Sequence, residues 1–429
     1  MIRFVEISFM KLVLKKYKFQ LLLVTIGIAV LVVVNYVLQL DIQNHIYPDS
    51  ESYFEAAKNV FLYHTGHNYR PIVMAAINGI PYLFGCSDAF IYEFSFYVNL
   101  FCWLASALVL FEILKSFLSD KMAFLFALFS FLFVGTIALI YHLLTENIYT
   151  LFIAFVFYFL LKYYKPNRGG AEQSEAKSFW QLSIAISILI LSMLIRPGSK
   201  WLAIVFLIFF SKELIRNYKS KAALLIYGSW LLVLIQCVGI KYQFGNFTIS
   251  YIDSVTYYNY IGSKAIAFKE GKEYDMSKDP RTFYIFSLQP TQIQKVAKND
   301  LILQLKTNSR NLFNAYFSDV YGNTISGNIP LNDCKNVKNT PYFNFWKEAL
   351  FRLSQWQNRI FTLLGLLLAT FYFFKSYKKE VYFSLISVYV LYIVASSGIS
   401  CEQGDRFHLV IFPFVLILVA KFYSDRKVV

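Results

Sequence analysis

The sequence predicts an all-α polytopic membrane protein with about ten transmembrane helices and a small mixed extracytoplasmic domain. Three observations predict it. Hydrophobic residues make up 57% of the 429 positions and charged ones 16%, with a mean hydropathy of +0.48, whereas soluble domains carry roughly 25% charged residues. Long uncharged runs recur along the chain. Lysines and arginines gather in every second connection between those runs, as cytoplasmic loops require.

The first run, FQLLLVTIGIAVLVVVNYVLQL at 19–40, has the length that crosses a bilayer. It lacks a small-residue cleavage site and reads as a signal anchor. Nine further runs follow at 89–111, 122–142, 147–164, 179–195, 200–211, 222–240, 358–374, 381–398 and 407–423, the sixth of the ten being the shortest. The N-terminus and the alternate connections hold 21 basic residues and the short opposite connections hold five, namely Lys58, Arg70, Arg196, Lys200 and Arg406. Both termini are therefore expected in the cytoplasm of an inner or plasma membrane protein. The same asymmetry accounts for much of the net charge of +15, which in a soluble chain would suggest nucleic acid.

Two polar regions face outward on this topology. The first, 41–88, holds an amphipathic piece, SYFEAAKNVFLY, and a short apolar stretch after Arg70 broken by Pro71, Gly79, Pro81 and Gly85, which reads as re-entrant or interfacial. The second, 241–357, is large enough to be a domain. Its opening FTISYIDSVTYYNYIG reads as strand or irregular, and TQIQKVAKNDLILQLKTNSRNLFNAYFSDV reads as an amphipathic helix or helix pair. The chain thus divides into a transmembrane module 1–240, an extracytoplasmic domain 241–357 and C-terminal transmembrane helices 358–429.

Ionisable residues at a membrane edge are costly, which makes each a functional candidate. Asp49, Glu51, Arg70, Glu146, Arg196, Lys200, Glu402, Asp405 and Arg406 all fall on the outer side. Asp49 in PDSESY is either a turn residue or a general base, its pKa raised by a partly desolvated cleft. Arg70 is an interfacial anchor or a forked phosphate ligand. Thr145 and Glu146 suit a helix start, by capping and by charge, and Glu146 also suits a site. Arg196 and Lys200 together could neutralise a phosphate or pyrophosphate, and Arg406 could pair with Asp405 or Glu402 or meet a headgroup.

The five cysteines show no metal spacing; on this topology Cys86, Cys334 and Cys401 face outward and leave room for one disulfide. His64 and His67 form an H-x-x-H with no third ligand at suitable spacing, so no metal site is assigned. No Walker loop, no dinucleotide fingerprint and no G-x-S-x-G occurs.

Asp49 followed by Tyr53 and Ala56–Ala57, then Arg70–Pro71, Gly79–Ile80–Pro81 and Phe84–Gly85, resembles the GT-C superfamily of membrane glycosyltransferases. The branch it resembles is that of protein mannosyltransferases and lipid A aminoarabinose transferases. Thr145–Glu146, Arg196–Pro197 and the Arg406–Phe407…Pro413 ending are similar to that family's later motifs. The chain departs from it where Ser50 separates the two first-loop acids, and 241–357 matches no family pattern.

The resemblance implies a polyprenyl-phosphate-linked sugar as donor and an acceptor hydroxyl on a glycan, lipid or protein. In that scheme Asp49 is the base and Glu146 its catalytic companion, while Arg70, Arg196, Lys200 and Arg406 hold the donor phosphate. It implies membrane lipids as surroundings, no nucleic acid and no certain cofactor, and it admits a divalent ion. Two other readings stand beside it: an O-antigen-type polymerase or ligase, suited by the basic 241–357 region, and a transporter of lipid-linked glycans. Against the transporter, the chain shows no repeat with broken helices in matching positions.

Overall fold

The computed structural model describes residues 2–44, 47–165, 171–376, 380–400 and 403–427. Cys401 and Glu402 lie outside them. The helices in chain order are α1 Ile2–Leu38, α2 Pro48–Phe61, α3 Ile72–Gly79, α4 Asp88–Leu114, α5 Asp120–Phe129, α6 Val134–Ala138, α7 Glu146–Tyr164, α8 Ala171–Ser192, α9 Ser199–Phe209 and α10 Ser211–Arg216. There follow α11 Ala223–Phe244, α12 Ile252–Thr256, α13 Ser263–Lys269, α14 Pro280–Ser287, α15 Pro290–Thr307, α16 Ser309–Ile325, α17 Ile329–Asp333, α18 Pro341–Ser376, α19 Val381–Ser397 and α20 Phe412–Lys427.

All ten expected runs are helical. Six lie in helices long and apolar enough to cross a bilayer: the part of α1 after its break at Tyr17, then α4, α7, α11, α18 and α20 with the turn before it. The third run is a pair bent by 62° around Phe133. The runs at 179–195, 200–211 and 381–398 form shorter apolar helices. At 1.5 Å per residue, the 11 residues of α9 reach about half of a hydrocarbon core roughly 30 Å thick.

The region 241–357 is helical rather than mixed. No strand occurs among the described residues; the one bridge outside strands, Leu40 with Asn336, stitches the exit of α1 to the segment before α18. The stretch read as strand becomes α12 and a π-helix at Tyr257–Gly262. Its aromatic and β-branched residues favour strand locally, and tertiary packing overrides them. Tyr251, Val255 and Tyr258 bury against Ile285, Ile293 and Ala297, and Ile261 and Ala265 bury against Ala315. Arg281 forks onto Asp300 at 2.9 and 2.8 Å, lies 3.8 Å over the Tyr258 ring, and shares Asp300 with the Tyr257 hydroxyl. The expected helix pair is α15 and α16. The helix α18 runs unbroken for 36 residues across position 357.

A polar network ties α18 to α16 and to the segments on either side of it. Asn358 donates to the carbonyls of Asn323 and Ser326 at 2.6 and 2.8 Å and lies in reach of Thr362 and His408. Asn323 in turn donates to Ser397 and Ser400. These buried groups have no water to replace a lost partner. Asn358→Ala is expected to cost on the order of 1–3 kcal/mol for each carbonyl left unpaired, measured as a lowered unfolding midpoint in detergent.

Candidate active site

Three helices begin at one cavity of about 450 Å³. Asp49 and Tyr53 reach it from the first turns of α2, Thr145, Glu146 and Tyr149 from the start of α7, and Pro197–Trp201 from the start of α9. Helix N-termini carry partial positive charge and favour anions nearby. Of the nine charged residues picked out in sequence, Asp49, Arg70, Glu146, Arg196, Lys200 and Arg406 line this cavity, Glu51 and Asp405 do not, and Glu402 lies outside the described residues. The six that line it come from five segments far apart in the chain.

Arg406 is the centre of the arrangement. Its Nε donates to Glu146 Oε1 at 2.6 Å, and its Nη1 donates to Asp49 Oδ2 at 2.5 Å and to Gln403 Oε1 at 3.0 Å. Its face lies 4.9 Å from the Tyr47 ring. The Arg406 and Glu146 side chains are 6% and 2% exposed, so this pair is desolvated and each partner depends on the other. Asp405, one of the two acids considered for Arg406 from sequence, accepts from Asn328 at 2.7 Å instead.

Arg70 holds the other side of Asp49, with Nη2 to Oδ1 at 2.5 Å, while its Nε donates to Ser52 Oγ at 2.8 Å and its plane stacks 4.2 Å from Tyr53. Both oxygens of Asp49 are therefore held by guanidinium groups. The expectation of a raised pKa at Asp49 is overturned. Burial pushes it up, but the charges and hydrogen bonds of Arg70 and Arg406 outweigh burial and hold the carboxyl well below its usual range. Asp49 is also in the first turn of α2, after Pro48 at the helix start, rather than in a free turn.

The remaining cations differ. Lys200 is paired with Asp253 at the start of α12, a partner that sequence reading missed because it lies in the unassigned outer region. Arg196 pairs with no carboxylate among the described residues; its guanidinium stacks on Phe407 at 4.4 Å and Tyr149 at 5.6 Å, and its buried Nη1 has no hydrogen-bond partner. Glu146 begins α7 as expected, but the Thr145 hydroxyl makes no capping bond, and Oε2 of Glu146 is buried without a partner. Four cations and three acids thus line the cavity, a surplus of one positive charge. Ile252, Ile261, Leu301, Ile393 and Ile399 add apolar surface to the same lining.

Among the described residues no group of three His, Cys, Asp or Glu side chains can hold a metal ion. Cys86 and Cys334 are free thiols. His67 instead serves Arg70: its Nδ1 accepts from the backbone N–H of Tyr69 and of Arg70 at 3.1 and 3.2 Å. That fixes the proton on Nε2, which faces Glu55 at 3.8 Å.

No family model and no curated protein matches the chain. Two solved structures are similar to it. One is the crystal structure of ArnT from Cupriavidus metallidurans bound to undecaprenyl phosphate, 12% identical over 92% of this chain and 76% of that one, with a TM-score of 0.39. The other is ArnT from the same organism in the apo state, 11% identical over 94% and 77%, with a TM-score of 0.38.

Replacing Arg406 by Gln strands Glu146 in a desolvated position and is expected to destabilise the protein by about 3–5 kcal/mol. The Arg406→Gln/Glu146→Gln pair should recover a large part of that loss in a double-mutant unfolding cycle. A second expectation concerns acid. Burial first, and the Arg70 charge second, push His67 down to about 4 from 6.5. The folded protein therefore binds fewer protons here than the unfolded chain, so this contribution is full above about pH 6.5 and is lost as pH falls toward 4. His67→Gln should flatten that part of the stability profile relative to the wild type.

Proposed function

We propose that the protein is an integral membrane glycosyltransferase that moves a sugar from a polyprenyl-phosphate donor to an acceptor hydroxyl on the extracytoplasmic face, with Asp49 as general base. The observation that carries this reading is the cavity itself, whose lining combines a surplus cation with apolar side chains. A phosphate-linked lipid has both of those characters. The motif resemblance to GT-C enzymes supports the same assignment.

In this scheme the donor phosphate lies against Arg196, Arg70 and Arg406, whose forked N–H groups match phosphate oxygens. The lipid runs along the apolar side chains of the lining. The acceptor oxygen attacks the anomeric carbon as the bond from that carbon to the phosphate oxygen breaks. The electron pair of that bond leaves on the polyprenyl phosphate, and the hydroxyl proton passes to Asp49. A single displacement inverts the anomeric carbon. The arginines stabilise the charge that grows on the leaving phosphate, which rises from one to two negative charges, in a site with few competing waters. Glu146 Oε2, buried and unpartnered, is positioned to accept a hydroxyl of sugar or acceptor. Lys200 joins the donor phosphate if its bond to Asp253 opens.

The test incubates the purified protein in nanodiscs with a panel of polyprenyl-phosphate sugars and hydroxyl acceptors and follows donor consumption. Wild type should consume at least one donor, and Asp49→Asn should slow that by roughly 10²–10⁴-fold, the usual worth of a general base. Equal rates would remove Asp49 as the base, and a wild type inert toward the whole panel would remove the transferase reading. Arg196→Gln should raise the donor KM with a smaller effect on kcat, because it removes a binding contact present before the reaction starts.

A further inference from the structure

Resting on that donor chemistry, we infer that Asp49 and the donor phosphate compete for the same guanidinium edges, so that donor binding releases the base and the base in turn expels the product. The geometry points to it. Arg406 is anchored through Nε by Glu146, and Arg70 is anchored through Nε by Ser52. Asp49 takes only the outward Nη groups, one from each arginine. Withdrawing Asp49 therefore leaves both guanidinium groups held in place, with two N–H edges turned to the cavity. A phosphodiester carries one negative charge, as a carboxylate does, and offers its oxygens to the same pair of edges.

The exchange settles a conflict within the site. A carboxylate gripped on both oxygens by arginines has no free lone pair of useful basicity. Arg196, which has no carboxylate partner among the described residues, supplies the first contact for the incoming phosphate without breaking any ion pair. Once the phosphate sits on Arg70 and Arg406, Asp49 is freed beside an anion, where accepting a proton is favoured. After transfer Asp49 is neutral and does not compete, while the dianionic polyprenyl phosphate holds the arginines. Loss of the Asp49 proton to solvent restores the competitor and favours product release. The base and the leaving group thus alternate on one pair of arginines, and donor binding precedes activation of the acceptor.

The test uses the full-length protein in nanodiscs and farnesyl phosphate as the probe, with binding read by calorimetry and by tryptophan emission, since Trp201 lines the cavity. Asp49→Asn and Asp49→Ala are expected to bind the probe about tenfold or more tightly than wild type, because a charged hydrogen-bonding competitor is gone. Arg70→Gln should bind more weakly than wild type. In Asp49→Ala, added formate should weaken probe binding by refilling the carboxylate position, and in wild type it should not. Unchanged or weaker affinity in both Asp49 variants, with unfolding midpoints like that of wild type, overturns the competition. Transfer is assayed on the same preparations. Tighter binding in the variants with a wild type inert toward every donor would leave the competition standing and remove the transferase reading. Transfer by wild type without tighter binding in the variants would do the reverse.

Discussion

The site depends on one guanidinium. Arg406 joins the start of α2 to the start of α7 by holding Asp49 with one edge and Glu146 with another. Both acids occupy first turns, where helix dipoles favour a negative charge, and the arginine balances a half-buried Asp49 and a buried Glu146. The segment that carries Arg406 is fixed from behind. Asp405 N donates to Gly327 O, Asp405 accepts from Asn328, and His408 joins Thr362 and Asn358 on α18. The buried polar network around Asn358 on α18 thus backs the segment that carries Arg406.

Residues 241–357 contribute a smaller part of the cavity lining. Arg281 and Asp300 hold the π-helix at Tyr257–Gly262 in place, and Tyr257, Tyr260 and Ile261 from that π-helix line the cavity. A widened helical turn of this kind is frequent at functional sites. Asp253, one turn earlier, ties the region to Lys200 at the start of α9. Residues 241–357 are therefore part of the site wall, joined to it by an ion pair and by side chains, and their helices form because their apolar faces bury on one another and on α16.

Much of this was legible in the sequence. The all-helical membrane class followed from hydropathy, and ionisable residues at the ends of apolar runs pointed to side chains that line the cavity. Five of the six candidates that share the cavity are held in ion pairs there, and Arg196 is held by stacking on Phe407 and Tyr149. What the sequence left unread was pairing. Nothing local says that Arg406 chooses Asp49 and Glu146 over its neighbour Asp405, or that Lys200 meets Asp253. Those choices depend on contacts 53 to 357 residues apart in the chain. The direction of the Asp49 shift was misread for the same reason: desolvation is visible from an apolar context, and two arginines arriving from other segments are not. The reading of 247–262 as strand or irregular failed where packing against α14 and α15 outweighed local preference.

The most direct measurement is a pair of cryo-electron-microscopy maps of the protein in nanodiscs, one with a polyprenyl phosphate added and one without. The account predicts Asp49 between Arg70 and Arg406 in the map without lipid phosphate. With it, the phosphate should bridge the same two arginines, Asp49 should have swung off them, and Glu146 should still hold Arg406. A phosphate seated elsewhere in the cavity while Asp49 stays on both arginines would contradict it.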